Sequence, residues 1–389
     1  MKKILYLSFY FEPDLCAGSF RNTPLAHQLA ELLNGQGEVH VVTTLPNRYK
    51  SFSSECEKEE IRDNLKITRV SLPAHQSGFV DQVNSFRAYY FQTWKIIKND
   101  SYDLVIASSS RLFTAYLGYR IAFEKKIPLY LDIRDIFTDT MSDVLKSRAL
   151  RFGLMPILKS IEKKVFEYAV HVNLISPGFA SYFEQYDMQS ISFFTNGIDD
   201  EFVTDGTLDI ATDPPYTITY AGNIGQGQGL HKIIPQMAAI DQTNYKYRII
   251  GDGGAADKLA EEIKRLALKN VILERPVKRK ELLEIYKKSH FLFIHLNDYE
   301  AFKKVLPSKI FEAAAFPRPI IAGVGGYAKE FLKRNVENAL VFDPTNAEQI
   351  MAELRKYRYK CVVRGEFIEK FARKNINVEM ARSIISHIP

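Results

Sequence analysis

Two charged residues that could bind a ligand, Lys309 and Glu312, lie three positions apart in the segment LPSKIFEAAAFPRPIIAG at residues 306–323. A helix that begins at Pro307 or Ser308 would carry both on one face. The opposite face would point apolar side chains into the protein, namely Ile310, Phe311 and Ala314. An amine and a carboxylate in this arrangement could hold a phosphate and a pair of hydroxyl groups, or could form only a surface ion pair.

Glycine-rich turns form a second candidate for ligand binding. GNIGQGQG at residues 222–229 follows the apolar run YTITYA, and GDGG at residues 251–254 follows YKYRII. The first turn does not match G-x-G-x-x-G, because Leu230 stands where the last glycine is needed when the count starts at Gly225. Its backbone N–H groups and the following helix N-terminus could still bind an anion. A purely structural turn would need fewer glycines.

Apolar runs of strand length alternate with amphipathic helical segments along the whole chain. The first half contains KILYLSFY, EVHVVTT, DLVIASSS, PLYLDIRD, VHVNLIS and SISFFT, and the second contains YTITYAG, YKYRIIGDG, NVILERPV, FLFIHL, RPIIAG and ALVFD. Such continuous runs predict parallel sheets that are covered on both faces. The pattern restarts after a polar stretch near residues 199–215, which predicts an α/β fold with two doubly wound Rossmann-like domains facing across a cleft.

The domain bounds that we predict are 1–200, 210–365 and a C-terminal helical segment, 366–389, that packs back on the first domain. In doubly wound sheets, ligands bind at the carboxyl ends of the strands. LPSKIFE follows the predicted strand FLFIHL. Position therefore favours a ligand-binding role for Lys309 and Glu312 over a surface ion pair.

The composition is that of a globular protein, with 389 residues, 46% hydrophobic and 25% charged. The sequence contains neither an apolar stretch long enough to span a membrane nor a recognisable cleavage site, so we expect a cytoplasmic protein. Three cysteines without a C-x-x-C pair predict reduced thiols, and the absence of D-x-D and H-x-x-x-H patterns disfavours a metal site.

Basic residues are densest at residues 144–169, where they alternate with apolar ones. The basic positions are Lys146, Arg148, Arg151, Lys159, Lys163 and Lys164. This pattern fits a helix that rests on anionic lipid and, equally, an ordinary surface helix. No aromatic RNA-binding motif or zinc knuckle accompanies the charge, so we do not expect nucleic-acid binding.

The order of GNIGQGQGL, GDGG, LPSKIFEAAAFPRPIIAG and NALVFDP, preceded by EPDLCAGSFRN and TNGID, resembles retaining glycosyltransferases of family 4, which have the GT-B fold. Within them it is most similar to enzymes that add N-acetylated amino sugars to lipid-linked precursors of bacterial surface polysaccharides, such as O-antigen or capsule. The resemblance implies transfer of a sugar, with retention, from a nucleotide-diphosphate donor with uracil as the base to a lipid-linked or saccharide acceptor. It implies no metal and no cofactor. The first domain would bind the acceptor and the second the nucleotide sugar.

The resemblance also implies roles for individual residues. Glu312 would hold the nucleotide ribose, Lys309 the diphosphate, and Asp135 would lie beside the transferred sugar, unless it is a helix cap or an ion-pair partner of Arg134. These three are the predicted catalytic residues. The predicted substrate-binding residues are Gly18, Ser19, Arg134, Gly222, Asn223, Gly225, Gly251, Asp252, Arg275, Val277, Pro307 and Ser308.

Two departures from the family pattern keep other functions open. Lys304 stands where the family has a glutamate that contacts the donor sugar, and Gln226 and Gln228 stand where many members have Arg and Lys. The alternatives are an enzyme like the UDP-N-acetylglucosamine 2-epimerases, which share the two-domain architecture, and a non-catalytic partner subunit. A dinucleotide dehydrogenase is disfavoured because neither half has the glycine fingerprint.

Overall fold

The computed structural model describes residues 1–14, 16–46, 56–73, 79–109, 112–138, 148–203 and 213–389, without the side chains of 79–82 and 148–151. Within these ranges the chain forms two compact units. One consists of Met1–Asn196 together with Lys374–Pro389, and the other of Gly197–Arg373.

An eight-stranded sheet forms the centre of the first unit. Its strands are β1 (Lys2–Ser8), β2 (Gly37–Thr44), β3 (Glu59–Arg62), β4 (Leu65–Val70), β5 (Leu104–Ser109), β6 (Leu129–Ile133), β7 (His171–Leu174) and β8 (Ile191–Ser192). The strand order is β3-β4-β2-β1-β5-β6-β7-β8, and every pair is parallel except β3 with β4. The central strands are buried along almost their whole length, which explains their continuous apolar sequences.

The helices of the first unit are α1 (Ala17–Leu32), α2 (Phe79–Ile97), α3 (Leu112–Lys125), α4 (Arg148–Tyr168) and α5 (Ala180–Phe183). Helix α1 directly follows the loop after β1 and packs its apolar face on the sheet. Leu25 and Leu29 of this helix share one core cluster with Ile4 and Tyr6 of β1. The N-terminus of α1 therefore lies at the carboxyl end of β1, where the predicted residues Gly18 and Ser19 occur.

A six-stranded sheet forms the centre of the second unit. Its strands are β9 (Tyr216–Asn223), β10 (Tyr245–Asp252), β11 (Val271–Glu274), β12 (Phe291–His295), β13 (Ile320–Gly323) and β14 (Ala339–Phe342). The order is β11-β10-β9-β12-β13-β14, and every pair is parallel. All the strands predicted for the second half are present, and their carboxyl ends share one edge.

The helices that connect these strands are α6 (Leu230–Ile240), α7 (Ala256–Arg265), α8 (Arg279–Lys287), α9 (Lys309–Ala315), α10 (Gly326–Asn335), α11 (Ala347–Lys356) and α12 (Gly365–Lys370). A 3-10 helix, Glu300–Lys304, precedes α9. Helices α6 and α11 pack on the sheet, because Ile233 and Ile350 share a core cluster with Ile249 and Phe291.

The last helix, α13 (Arg373–Ile385), begins where the second unit ends and then packs on the first unit. Met380, Ala381 and Ile384 are fully or almost fully buried in the same cluster as Ile4 and Leu25. The chain thus leaves the first unit once, forms the second unit as one continuous segment, and returns.

Two parts of the first sheet differ from the sequence interpretation. The pair β3 and β4 was not predicted, because β3 is a polar edge strand, EEIR, with mostly exposed side chains. SISFFT was predicted as a full strand, but β8 has only two residues. Beyond β8, the backbone N–H of Phe194 donates to Asn173 Oδ1 at 2.6 Å, and Arg21 donates to the carbonyl oxygens of Phe194 and Thr195 at 2.8 and 2.9 Å. Side chains therefore replace the strand partner there.

None of the helices in the described ranges has the length and hydropathy that a bilayer span requires. The three cysteines are free thiols. Among the described side chains, no group of three or more His, Cys, Asp or Glu is arranged to hold a metal ion.

Candidate nucleotide-binding site

Two glycines determine the backbone shape at the carboxyl ends of β9 and β10. Gly222 and Gly251 are paired across the two strands, and both have positive φ angles, +142° and +152°. A Cβ atom at Gly251 would overlap the carbonyl oxygen of Gly222, and one at Gly222 would overlap Nζ and Cε of Lys309. Only glycine allows this backbone conformation together with such close approach. The turn is therefore open enough for a lysine side chain to lie directly against it.

Lys309 reaches this turn from the first residue of α9. Ser308 is the N-cap residue; its backbone is in the αR conformation and its side chain makes no capping hydrogen bond. The first backbone hydrogen bond runs from the Ile310 N–H to the carbonyl oxygen of Pro307, at 3.1 Å. The lysine ammonium lies 5.6 Å from the centre of the Tyr220 ring. No carboxylate lies within salt-bridge distance of Lys309 Nζ in the part of the chain that the structure describes. A half-buried cation thus faces a glycine turn, an arrangement that suits a phosphate.

Glu312 occupies the next turn of α9 and is also half-buried. It forms no salt bridge with Lys309 or with any other described residue, so the surface ion-pair alternative does not describe this pair. Burial raises the pKa of Tyr286 on α8 well above its ordinary value, and the negative charge of Glu312 raises it further. Ile310, Phe311 and Ala314 are fully buried, as expected for the opposite face of the helix.

The loop after β9 is held by amide side chains. Gln228 Oε1 accepts hydrogen bonds from Asn223 Nδ2 at 2.8 Å and from the Gly225 N–H at 3.3 Å. Asn297 then ties the loop to the segment after β12, since its N–H and Nδ2 donate to the carbonyl oxygens of Gly227 at 2.8 Å and Gln226 at 3.1 Å. Among the described residues, none accepts a hydrogen bond from the N–H of Gln226 or Gly227. These two amides remain available to an anion.

The other predicted residues of the second unit lie along the same edge of the sheet. Asp252 ends β10, where its carbonyl accepts from Ile224 N–H at 2.8 Å and its Oδ1 from Gly253 N–H at 2.7 Å. Strand β11 pairs with β10 up to Glu274. In the loop that follows, Arg275 is exposed and Val277 is half-buried. In the described part of the chain, no hydrogen bond or ion pair joins Arg275 or Val277 to the glycine turn.

The predicted residues of the first unit form a separate group at the carboxyl ends of β1 and β6. A Cβ atom at Gly18 would lie 2.9 Å from Arg134 Nη1, so the guanidinium lies against the N-terminus of α1. Ser19 is buried, with its hydroxyl 3.5 Å from that of Thr23. Asp135 follows Arg134 and is half-buried.

Two buried networks support this group. Arg21 donates to Asp132 through Nε at 2.9 Å and Nη2 at 2.8 Å, and Asp132 also accepts from Ser108 and Asn173. Burial by itself would raise the pKa of Asp132, but the charge and hydrogen bonds of Arg21 lower it below the ordinary value. Burial lowers the pKa of Arg134, and the like charge of Arg21 lowers it further, although the negative charge of Asp132 acts in the opposite direction.

The second network fixes the segment that carries Asp135. Glu162 of α4 is buried and accepts hydrogen bonds from the hydroxyl groups of Thr138, Tyr182 and Tyr186, the last two at 2.6 and 2.8 Å. Thr138 lies three residues beyond Asp135. A carboxylate held by three hydroxyl groups therefore anchors the end of this segment.

The structure thus brings Gly222 and Lys309 together in the second unit, and Gly18 and Arg134 in the first. The sequence interpretation missed the Tyr220 ring beside Lys309 and the bracing role of Gln228. Tyr220 could have been found from its position two residues before Gly222, since alternate residues of a strand share a face. Gln228 offers no such signal, because its role depends on the folded shape of the loop.

Comparisons with known proteins agree with this organisation. Residues 209–359 match the family described as Glycosyl transferases group 1. They include β9 to β14 and the glycine turn. No curated protein sequence matches the chain.

Solved structures show the fold of the whole chain. Sucrose-phosphate synthase from Thermosynechococcus elongatus is 13% identical, with a TM-score of 0.73 and 99% of both chains covered. HepE of Anabaena, solved with UDP and glucose, is 15% identical, with a TM-score of 0.67 and coverage of 99% of this chain and 100% of that chain. WaaG, a glycosyltransferase involved in lipopolysaccharide biosynthesis, is 14% identical, with a TM-score of 0.64 and coverage of 98% and 95%. The predicted α/β fold with two Rossmann-like domains of the GT-B type is confirmed, and the findings support a glycosyltransferase.

Proposed function

We propose that the protein is a retaining glycosyltransferase of family 4 that transfers an N-acetylated hexosamine from a UDP-sugar to a lipid-linked or saccharide acceptor. The proposal includes a role in the synthesis of surface polysaccharide, O-antigen or capsule, in the cytoplasm at the inner face of the membrane. The match of residues 209–359 to glycosyltransferases supports the reaction type. The UDP bound to HepE of Anabaena and the part that WaaG takes in lipopolysaccharide synthesis support the donor and the pathway class.

One observation carries the proposal: the half-buried ammonium of Lys309 lies against Gly222 without a carboxylate partner in the described part of the chain. A diphosphate bound at the turn would receive this charge, the N–H groups of Gln226 and Gly227, and the N-terminus of α6. These groups would stabilise the negative charge that develops on the departing nucleotide diphosphate.

Glu312 supports the nucleotide part of the proposal. Its carboxylate can accept hydrogen bonds from two neighbouring ribose hydroxyl groups, because no described residue occupies it with a salt bridge. The buried hydroxyl of Tyr286 is close enough to Glu312 for the negative charge of the carboxylate to add to the effect of burial and raise the pKa of this tyrosine. In the proposed enzyme, Asp135 and Arg134 of the first unit would bind the transferred sugar and the acceptor.

Titration calorimetry with UDP-, GDP-, dTDP- and ADP-sugars tests the donor assignment. We expect UDP-N-acetylhexosamines to bind most tightly and Glu312→Gln to weaken them by about 1.5–3 kcal/mol, the usual value of a charged hydrogen bond. The matched control is Glu261→Gln, at an exposed glutamate of α7, which should leave binding unchanged. A donor with 2′-deoxyribose should bind more weakly than the ribose donor to the wild type, but equally well to Glu312→Gln. Equal losses in both proteins would contradict the ribose contact.

The reaction itself is tested with a polyprenyl-diphosphate-linked N-acetylhexosamine as acceptor. We expect release of UDP together with a new glycosidic bond whose anomeric configuration, read by NMR coupling constants, equals that of the donor. Conversion of UDP-N-acetylglucosamine without an acceptor into N-acetylmannosamine or its nucleotide would instead indicate a 2-epimerase. Absence of binding by every nucleotide sugar would instead support the alternative of a non-catalytic partner subunit.

A membrane contact through residues 144–169 is part of the proposal, although Lys146 lies outside the described residues and the side chains of Arg148 and Arg151 are not described. Helix α4 exposes Phe152 at 86% and Ile157 at 58%. Three exposed lysines follow on the same helix, Lys159, Lys163 and Lys164. Exposed apolar side chains next to basic ones suit the boundary of an anionic bilayer.

Cosedimentation with vesicles that contain phosphatidylglycerol tests this contact. The double variant Phe152→Ser and Ile157→Ser should bind at least tenfold more weakly, because each buried apolar side chain contributes about 1.5–3 kcal/mol. Ile272→Ser removes a comparably exposed side chain, 53% accessible, from the second unit and should change nothing. Equal binding of all three proteins would contradict the contact and leave the donor site unaffected.

A further inference from the structure

His295 connects the glycine-rich loop to another part of the second unit. It ends β12 and is only 3% exposed. Its Nδ1 lies 2.6 Å from the carbonyl oxygen of Gln228, and its Nε2 lies 2.9 Å from the carbonyl oxygen of Pro344, just beyond β14. A single ring thus joins the loop after β9 to the segment after β14.

The chemistry of the two partners restricts the protonation state of this ring. A carbonyl oxygen can only accept, so both ring nitrogens must donate, and only the imidazolium has two N–H groups. Another buried histidine, His40, differs in this respect, because the hydroxyl groups of Tyr102 and Thr68 contact its two nitrogens at 2.7 and 2.9 Å. Hydroxyl groups donate or accept, so they satisfy a neutral ring. Both contacts of His295 are satisfied only in its charged form.

The surroundings oppose that charge when no anion is present. Burial lowers the pKa of His295, and the like charge of Lys232 on α6 lowers it further, although its two carbonyl partners act in the opposite direction. Phe293 and Phe342 lie beside the ring, with ring centres 5.8 and 6.2 Å away. Asp298, three residues beyond His295 in the sequence, lies 3.8 Å from Lys303 Nζ, and Asp343, the neighbour of Pro344, accepts two hydrogen bonds from Thr345. A neutral ring then places one nitrogen lone pair against a carbonyl oxygen.

We propose that His295 takes up a proton when a nucleotide diphosphate binds to the glycine-rich loop, and that the imidazolium then holds the loop to the Pro344 carbonyl. The inference rests on the proposed function, since the diphosphate supplies the negative charge that favours the proton. His295 is therefore a positioning residue: it does not touch the nucleotide but fixes Gln228, which braces Asn223 and Gly225. Its charge also compensates for the presence of glutamines, rather than Arg or Lys, in the loop.

Calorimetry with UDP-N-acetylglucosamine at pH 7, in buffers of different ionisation enthalpy, counts the protons taken up on binding. This donor is used because its doubly esterified diphosphate does not titrate between pH 6 and 8. We expect a net uptake that is greater than zero and at most one proton per nucleotide, and an affinity that falls with rising pH by at most about tenfold per pH unit. His295→Asn should bind more weakly, with no proton uptake and a flat pH profile.

His231→Gln is the matched control, because His231 is another histidine beside the loop, at the second position of α6, and burial lowers its pKa. This variant should keep the proton uptake. Loss of the uptake in His231→Gln and its persistence in His295→Asn would overturn the inference. Binding with enthalpies that do not depend on the buffer would overturn it too, while the proposed function would stand.

The wild-type buffer series requires no substitution, so it decides the proton count even where His295→Asn fails to fold. Absence of binding by every nucleotide sugar would overturn the proposed function and this inference together.

Discussion

Replacing Lys309 with methionine removes the ammonium and keeps most of the side-chain volume beside Gly222. In the described part of the chain this ammonium has no salt-bridge partner, and its aromatic contact is the Tyr220 ring at 5.6 Å. The loss of that cation–π contact costs about 0.5–1 kcal/mol of folding free energy. The variant should therefore unfold within a few degrees of the wild type.

The effect on donor binding should be much larger. A unit positive charge about 4 Å from a phosphate contributes roughly 4 kcal/mol at an effective dielectric constant of 20, and one charged hydrogen bond contributes about 1.5–3 kcal/mol. We therefore expect Lys309→Met to weaken binding of UDP-N-acetylhexosamine by about 2–4 kcal/mol, which is roughly 30- to 1,000-fold. The loss should shrink when the salt concentration is raised, because ions screen a half-exposed charge.

Titration calorimetry at two salt concentrations measures this loss, and thermal unfolding checks the fold. The matched control is Lys269→Met, at an exposed lysine just before β11 and thus at the amino edge of the sheet. It removes the same charge far from the strands' carboxyl ends and should bind like the wild type. Lys309→Met with an affinity within threefold of Lys269→Met would refute the assignment of the phosphate site.

Further predictions concern stability and pH. Asp132→Asn should lower the free energy of unfolding of the first unit, measured in urea, by about 3–5 kcal/mol, because it leaves the buried Arg21 without its counter-charge; a loss below 1 kcal/mol would contradict this. The pKa of His40 is lowered to about 4 by burial, so its stabilising effect is complete above pH 6.5 and is lost as the pH falls towards 4, by at most about 3 kcal/mol. His40→Gln should flatten that part of the stability curve, and an unchanged slope would assign it to other groups. Gly251→Ala should destabilise the second unit by at least 1–3 kcal/mol, roughly the cost of backbone strain, and a thermal midpoint equal to that of the wild type would refute the close approach to Gly222.

The fold was predictable from the sequence because parallel strands buried on both faces leave continuous apolar runs. β9 to β14 were identified in this way, and the start of α9 followed from Pro307 and Ser308. Edge strands carry a weaker signal, so the polar β3 was missed. β8 was predicted too long, because Phe194 and Thr195 are apolar or β-branched but satisfy their backbone groups through Asn173 and Arg21.

The site was only partly predictable, for a related reason. Gly222 and Lys309 were predicted because residue types that suit a phosphate occur there at the carboxyl ends of predicted strands; residue type alone would not have distinguished Lys309 from a partner in a surface ion pair. Tyr220 reads as an ordinary core residue of a strand until the lysine beside it is seen. His295 depends on carbonyl oxygens 67 and 49 residues away along the chain, and no pattern of residue types records which backbone atoms a ring will meet.

The position of Met380 and Ile384 in the core of the first unit has a consequence for biosynthesis. The ribosome synthesises all eight strands of the first sheet early. Helix α13, which covers part of their core, is synthesised only after roughly 190 further residues, about 10–40 s later at common translation speeds. The continuous segment Gly197–Arg373 has no such delay. The apolar surface that α13 covers therefore lacks this cover while the whole second unit is being synthesised.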